Sequence, residues 1–479
     1  MFFTKKIRTR FAPSPTGWLH IGGLRTALYN YILARQKKGK FYLRIEDTDQ
    51  SRLVPEALPN ILETLTDFGL NYDNEPFQQS SRLAIYRQHA ESLVKGGHAY
   101  YCFCSAERLT SLREKQIANK QAPGYDGHCR HVTAEEAKQR IANQEAHVIR
   151  FFTSAKKKVT FTDIVRGEVS ISSENIDDQV LLKSDGFPTY HLAVVIDDHT
   201  MKITHVVRGE EWLPSTPKHI LLYEAFGWKI PTYAHLPLLL NKDRSKLSKR
   251  TGDVAVRDYV AQGYLREAII NFIALLGWHP AGEREIFSLA ELIDNFKFEN
   301  ISKSGAIFDI DKLNWFNKQY AQQLSTDEYY ERLQKWVKTY QPQLLDKLTL
   351  NLAHAAQSRL DKFADLPTVF DHYFVEPDVT SKQLVFKKST PENTLRGLSA
   401  ARERLQDFDT SRWRRDILEV LLAEVVKENN LTNGDVFWPV RVALSGKEKS
   451  ESPAELLEAL GKDSALIRLQ RAAELLLQK

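Results

Sequence analysis

Short apolar runs alternate with amphipathic stretches of helical period through about residue 84 and again from Tyr190 to Leu240. Leu192-Ala-Val-Val-Ile-Asp197 and Ile203-Thr-His-Val-Val207 read as strands, each a short, β-branched-rich run. Alternation of this kind predicts a parallel sheet with helices on its faces. Pro13 and Pro15 hold the chain extended, Thr16-Gly17 favours a turn, and residues 19–31 then follow a helical pattern. Between the two alternating halves lies a stretch with several β-like segments, residues 159–164 among them. From about Tyr264 onward the periodicity is almost wholly helical, as in residues 417–426 and 456–477. No internal repeat or low-complexity tract interrupts it. The predicted fold class is therefore an α/β region split by an α+β insertion, followed by all-helical C-terminal domains.

At 479 residues the chain is too long for one core and should divide into several domains. Its 27% charged and 42% hydrophobic residues are ordinary for a soluble globular protein, and no apolar run is long enough to span a bilayer. The formal net charge of +5 is compatible with a polyanionic partner, which needs a local basic face more than a large total. Lys5, Lys6, Arg8 and Arg10 imitate the start of a signal peptide, yet Pro13 and Pro15 follow where an apolar core would be required. A cytoplasmic protein without membrane association is expected. The three cysteines all fall between Cys102 and Cys129, an odd count that argues against a disulfide framework. Cys102-x-Cys104 and Cys129-x-His131 offer four zinc-type ligands, with Tyr125 or His128 as alternatives to His131. A Zn2+ there would be structural; without it, the same residues read as buried reduced thiols and a surface histidine.

Two further segments carry chemistry. In Arg10-Phe-Ala-Pro-Ser-Pro-Thr-Gly-Trp-Leu-His20-Ile-Gly-Gly23, His20, Gly22 and Gly23 stand at the helix start, where unpaired N–H groups and the helix dipole favour phosphate. The glycines let a base or ribose approach the backbone. Alone, this reads equally well as a βα turn capped by His20. Downstream, Asn241-Lys-Asp-Arg-Ser-Lys-Leu-Ser-Lys-Arg-Thr-Gly252 gathers cations and hydroxyls suited to a triphosphate, with lysine as a movable point charge. Alone, that is a solvated surface loop. Together, the two segments read as one nucleotide site.

With both in hand, the chain resembles the class I aminoacyl-tRNA synthetases, whose HIGH and KMSKS signatures stand here as His20-Ile-Gly-Gly23 and Lys246-Leu-Ser-Lys-Arg250. Leu43-Arg-Ile-Glu46-Asp-Thr-Asp49, Asp185-Gly-Phe-Pro-Thr-Tyr190-His-Leu-Ala and His205-Val-Val-Arg208-Gly-Glu-Glu-Trp212 narrow the resemblance to the bacterial-type glutamyl group. It runs nearly the full length, to Pro439-Val-Arg-Val-Ala-Leu-Ser-Gly446.

The resemblance implies a Rossmann-type catalytic domain over residues 1–84 and 189–255, split by an acceptor-binding insertion at 85–188 with the zinc site. A stem-contact helical domain at 256–325 and a helical anticodon-binding region at 326–479 would follow. It implies a glutamate–tRNA ligase using ATP with Mg2+, acting on L-glutamate and tRNA(Glu), monomeric, and needing bound tRNA before it activates the amino acid. Arg10 and Arg208 would meet the side-chain carboxylate of glutamate and Glu46 the α-amino group, with Ala12, Ser14 and Tyr190 beside them. His20, Lys246 and Lys249 would be catalytic, with Gly22, Gly23, Glu211 and Trp212 on the ATP side. Where discriminating members carry an arginine before an aromatic pair, this chain reads Asp371-His372-Tyr373-Phe374, so tRNA(Gln) is a second expected substrate. Arg412-Trp413-Arg414-Arg415 reads as an inward tryptophan among solvated arginines. Other readings are a glutaminyl enzyme, whose anticodon module is built from β-barrels, a small-molecule nucleotidyltransferase, and a non-catalytic tRNA-binding paralogue.

Overall fold

Strand β1 (Arg8–Phe11) enters the turn that launches helix α1 (Ile21–Gln36), and β2 (Lys40–Ile45) returns parallel to β1, pairing Arg10 with Tyr42. The helix forms because Leu24, Ala27, Leu28 and Ile32 fall on one stripe and are fully buried. Helix α2 (Ala57–Asp67), the short β3 (Phe77–Gln78) parallel to β2, and α3 (Leu83–Lys95) complete this half. The computed structural model describes residues 6–154, 158–172, 176–247 and 255–478.

After α3, β4 (Ala99–Cys102), α4 (Ala106–Ala118), α5 (Ala134–Ala142) and β5 (Val148–Phe151) form the body of the insertion. The hairpin β6 (Lys158–Asp163) and β7 (Gly167–Ser172) follows, then β8 (Val180–Leu182). β4, β5 and β8 make a small antiparallel sheet. The chain then builds α6 (Tyr190–Thr200), β9 (His205–Gly209), α7 (Thr216–Ala225) and β10 (Thr232–Leu236). β6, β10 and β9 are neighbours and parallel, with β7 at the edge. Thr204 N donates to Arg8 O at 3.0 Å, tying the start of β9 to the start of β1. Finally β11 (Leu239–Leu240) pairs in parallel with β12 (Ala306–Ile307).

Residues 192–197, expected as a strand, are helical. Every residue from Leu192 to Asp198 is buried, so no polar face exposes the 3.6-residue period and a short apolar run fits either state. The strand expected at 203–207 is present two residues later, as β9.

The chain divides into two compact units, Met1–Asp258 with Ile269–Ile310, and Tyr259–Ala268 with Asp311–Lys479. The second is helical. Ser325 and Glu328 form a capping box for the helix Thr326–Tyr340, and Ser452 with Glu455 does the same for Pro453–Leu460. Helix Pro391–Gln406 lies so close to helix Asn433–Ser445 that a Cβ at Gly397 would sit 2.0 Å from Asp435 O, which fixes glycine there. Trp413 is buried, its Nε1 donating to Leu457 O at 2.7 Å, while Arg412, Arg414 and Arg415 are exposed. Among the described residues no helix is long and apolar enough to cross a membrane.

Candidate active site

A cavity of about 380 Å³ opens at the carboxyl ends of the parallel strands, the place where open α/β sheets bind ligands. Arg10, Ala12, Ser14, His20, Gly22, Gly23, Glu46, Tyr190, Arg208, Glu211, Trp212 and Lys246 all line it. Lys249 lies outside the described residues.

His20 caps α1: its Nδ1 accepts from Gly22 N at 3.0 Å, so the proton of the neutral ring sits on Nε2. A Cβ at Gly22 would lie 3.3 Å from that nitrogen, so a side chain would crowd the cap. Lys246 and Leu247 of the lysine segment line the same cavity as this helix start. A tight turn closes between Asn241 N and Ser245 O (2.8 Å) with Arg244 in the left-handed region at φ 66°, and Lys246 pairs back onto Leu240. Further on, Ala255 bridges His20, Val256 N donates to Leu19 O at 2.9 Å, and the Arg257 guanidinium lies 3.5 Å above the Trp18 ring. The chain from Ala255 onward is thereby pinned beside the first motif.

On the opposite side a buried charge cluster organises the pocket. Arg10 forks onto Asp198 (Nε to Oδ1 3.0 Å, Nη2 to Oδ2 3.4 Å), and Arg44 donates to the same Oδ1 at 2.6 Å and to Glu46 Oε1 at 2.9 Å. Arg44 is fully buried. Burial opposes ionisation of Asp198, but Arg10 and Arg44 prevail and hold its carboxyl below the usual range. For Glu46 burial prevails and raises the carboxyl, so a cationic partner would be well received there. Asp198 carries no sequence signature beyond being a charged residue at the end of an apolar run, Val194-Val-Ile-Asp-Asp198, and Arg44, although it stands in the Leu43–Asp49 segment, carries nothing that marks it as buried.

Arg208, at the end of β9, is held differently. Its donors go to Tyr190 OH (3.1 Å), His235 Nε2 (3.1 Å), His219 Nδ1 (3.3 Å), Thr216 Oγ1 (2.8 Å) and Trp212 O (3.3 Å), all neutral acceptors. Tyr190 and Trp212 rings meet at 4.3 Å. Burial, aided by neighbouring cations, pushes His191 down to about 4 and His219 well below the usual range. The unfolded chain therefore takes up protons first, so the stability these groups confer is full above about pH 6.5 and drains away as pH falls toward 4. His191 alone accounts for about 3 kcal/mol of this loss. Thermal melts between pH 7 and 4.5 should show it, and His191→Phe should flatten the slope; a parental slope in that variant contradicts the assignment.

Three thiols meet in the insertion. Cys102, Cys104 and Cys129 place their sulfurs within 4.8 Å of one another, and Tyr125 OH lies 3.3 Å from Cys102 Sγ and 3.5 Å from Cys104 Sγ. His131, expected as the fourth ligand, is exposed and outside this group. Cys129 and His131 share the 3₁₀ turn His128–His131, where residues two apart point to different sides. Burial and the neighbouring thiols push Cys104 up to about 11, whereas Tyr125 and Arg150 lower Cys102 against the effect of burial. Crowded sulfurs of this kind fit a divalent cation that removes their protons.

The sequence model of the family "tRNA synthetases class I (E and Q), catalytic domain" matches residues 6–315, and an anticodon binding domain model matches residues 328–473. The chain belongs to the class I tRNA synthetases of the E and Q group. This synthetase is 42% identical to a glutamate–tRNA ligase of Alkaliphilus metalliredigens, over 98% of its own length and 99% of the relative's. It is 44% identical to one of Clostridium botulinum over 99% of both. Among solved structures, a glutamate tRNA ligase from Elizabethkingia meningosepticum in complex with its amino acid superposes with a TM-score of 0.89 at 35% identity, covering 98% of this synthetase and all of that chain. The glutamate-tRNA synthetase of Elizabethkingia anophelis gives 0.86 at 34% identity, with the same coverage.

Proposed function

We infer that this synthetase is a glutamate–tRNA ligase that activates L-glutamate with Mg-ATP and transfers it to the terminal adenosine of tRNA(Glu). The observation that carries this reading is one cavity bringing the buried guanidiniums of Arg10, Arg25 and Arg208, the half-buried carboxylate of Glu46, the start of α1 and Lys246 together. Arg208 and Tyr190 receive the side-chain carboxylate, Arg10 supports the glutamate with Ala12 and Ser14 alongside, and Glu46 takes the α-ammonium. The α-carboxylate oxygen attacks the α-phosphorus of ATP while the bond to pyrophosphate breaks. His20 and the helix start steady the charge at the α-phosphate, Lys246 and Lys249 follow the leaving pyrophosphate, and Gly22, Gly23, Glu211 and Trp212 hold the nucleoside. The 2′-hydroxyl of tRNA then attacks the acyl carbon and AMP departs. Residues 85–188 serve the acceptor end, 256–325 the stem and 326–479 the anticodon.

Charging purified tRNA(Glu) and tRNA(Gln) with radiolabelled glutamate tests this. Product on tRNA(Glu) supports it; product on neither overturns it. Product on tRNA(Gln) as well is expected because an acid, Asp371, stands before the aromatic pair where discriminating members carry an arginine.

Cys102, Cys104 and Cys129, with Tyr125 as the neighbouring oxygen donor, would hold a structural Zn2+ that braces the insertion and takes no part in the chemistry. Elemental analysis should find about one zinc per chain, falling to background in Cys129→Ser. Background zinc in the unsubstituted protein, with full activity, would remove the metal from this account.

A further inference from the structure

Behind Arg208 lies a buried chain of hydrogen bonds that reaches a carboxylate without touching the pocket. Arg208 Nε can only donate, so His235 Nε2, 3.1 Å away, carries a lone pair and the imidazole proton sits on Nδ1. That proton is directed at Asp163 Oδ2, at 2.6 Å. Asp163 is itself fastened at the end of β6: its Oδ1 accepts from Val165 N and Arg166 N, each at 2.9 Å, and its Oδ2 also accepts from His235 N at 3.1 Å. Asp163, His235 and Arg208 are 1%, 0% and 5% exposed, so water does not compete for these bonds. A second arm has the same logic. His219 Nδ1 accepts from Arg208 Nη1, which places the His219 proton on Nε2, facing His191 Nδ1 at 3.0 Å.

We propose that Asp163 and His235 form a positioning relay that fixes the Arg208 guanidinium in the plane and direction needed to receive the side-chain carboxylate of the amino-acid substrate. The proposal rests on the reading of Arg208 as a glutamate ligand. Asp163 sets the tautomer of His235, and His235 orients Arg208 while leaving its charge uncancelled, because one neutral imidazole separates the guanidinium from the carboxylate. Direct pairing, as between Arg10 and Asp198, would orient the cation but spend its charge on the protein's own acid. The relay thus separates orientation from neutralisation, which is what selection of glutamate over the isosteric, uncharged glutamine requires. Burial and the adjacent guanidinium keep the His235 imidazole below its usual range, so it remains an acceptor under physiological conditions.

The test substitutes His235 with the two amides that copy one ring nitrogen each. The oxygen of Gln reaches the Nε2 position and continues to accept from Arg208; Asn reaches only toward Asp163 and leaves Arg208 Nε without an acceptor. In tRNA-dependent ATP–pyrophosphate exchange, His235→Asn should raise the KM for glutamate about ten- to hundredfold, with the KM for ATP within about twofold and kcat little changed, as misplacement of a binding group predicts. Its preference for glutamate over glutamine should fall by a similar factor. His235→Gln should stay within about threefold of the parent on all counts. His235→Leu fills the volume without an acceptor and replaces Asn in the comparison if that variant does not fold. Equal behaviour of the Gln and acceptor-free variants, or a rise in the ATP KM parallel to that for glutamate, overturns the relay. Arg208→Gln run alongside separates the two levels: an unchanged glutamate KM there defeats the ligand reading itself, whereas a raised KM there with a parental KM in the acceptor-free variant defeats only the relay.

Discussion

Substituting Arg44 with methionine is expected to destabilise the first unit by about 3–5 kcal/mol, because it leaves Asp198 and Glu46 buried with one partner fewer. Arg44 is not among the residues lining the cavity, yet glutamate activation should fall with it through Asp198 and Glu46. Once Arg44 is gone, Asp198 is left to Arg10 alone and Glu46 is set loose, so both walls of the amino-acid pocket shift. Arg44→Lys should be only partly protective, since a single ammonium does not reproduce a fork that spans two carboxylates. Urea unfolding followed by tryptophan fluorescence gives the stability change directly. An Arg44→Met protein with parental stability would show that the cluster is neutralised by some other route.

The second large effect concerns the nucleotide. Lys246→Ala should slow adenylate formation about 10²–10³-fold, the loss expected when a cation aimed at developing charge is removed. His20→Ala should cost a similar factor, and part of it would be structural, because the Nδ1 cap on Gly22 N is lost as well. Lys249→Ala belongs in the same series. Affinity for tRNA should stay within about twofold in each variant, since none of these side chains reads the polynucleotide. Single-turnover pyrophosphate exchange and filter binding measured on the same preparations separate the two quantities. Retained turnover in Lys246→Ala would withdraw its role; tRNA binding lost in parallel with activity would point to misfolding or to a tRNA contact.

Much of the cavity lining is legible from the chain because its residues stand in unusual local settings. His20 follows a proline-rich strand exit, Lys246 sits in a dense cationic loop, Arg10 opens the proline-containing segment that leads to His20, and Arg208 ends an apolar run. Each of these signals is short-range. The partners of Asp198, Arg44, Asp163 and His235 are not legible in the chain because they are long-range: Asp198 lies 188 residues from Arg10 and 154 from Arg44, and Asp163 lies 72 from His235. Only the fold tells a buried charge from an exposed one there. The misread segment 192–197 failed for a related reason, since total burial erases the periodicity that separates helix from strand. His131 failed on stereochemistry. Spacing along the sequence places it next to Cys129, but the 3₁₀ turn carries it around to solvent, and Tyr125 stands beside the thiols instead.

Arg10 and Arg208 differ in what their loss would leave behind, and that difference bears on how such a pocket can evolve. Arg10 is one of two guanidiniums sharing Asp198, so mutating it deprives a buried acid of part of its compensation and penalises the whole fold. Arg208 is ringed by neutral acceptors, and among the described residues no carboxylate pairs with it directly. A lineage drifting toward a different amino acid can therefore vary position 208 without orphaning a buried charge, provided the replacement satisfies its neutral acceptors, while position 10 stays locked until Asp198 changes with it.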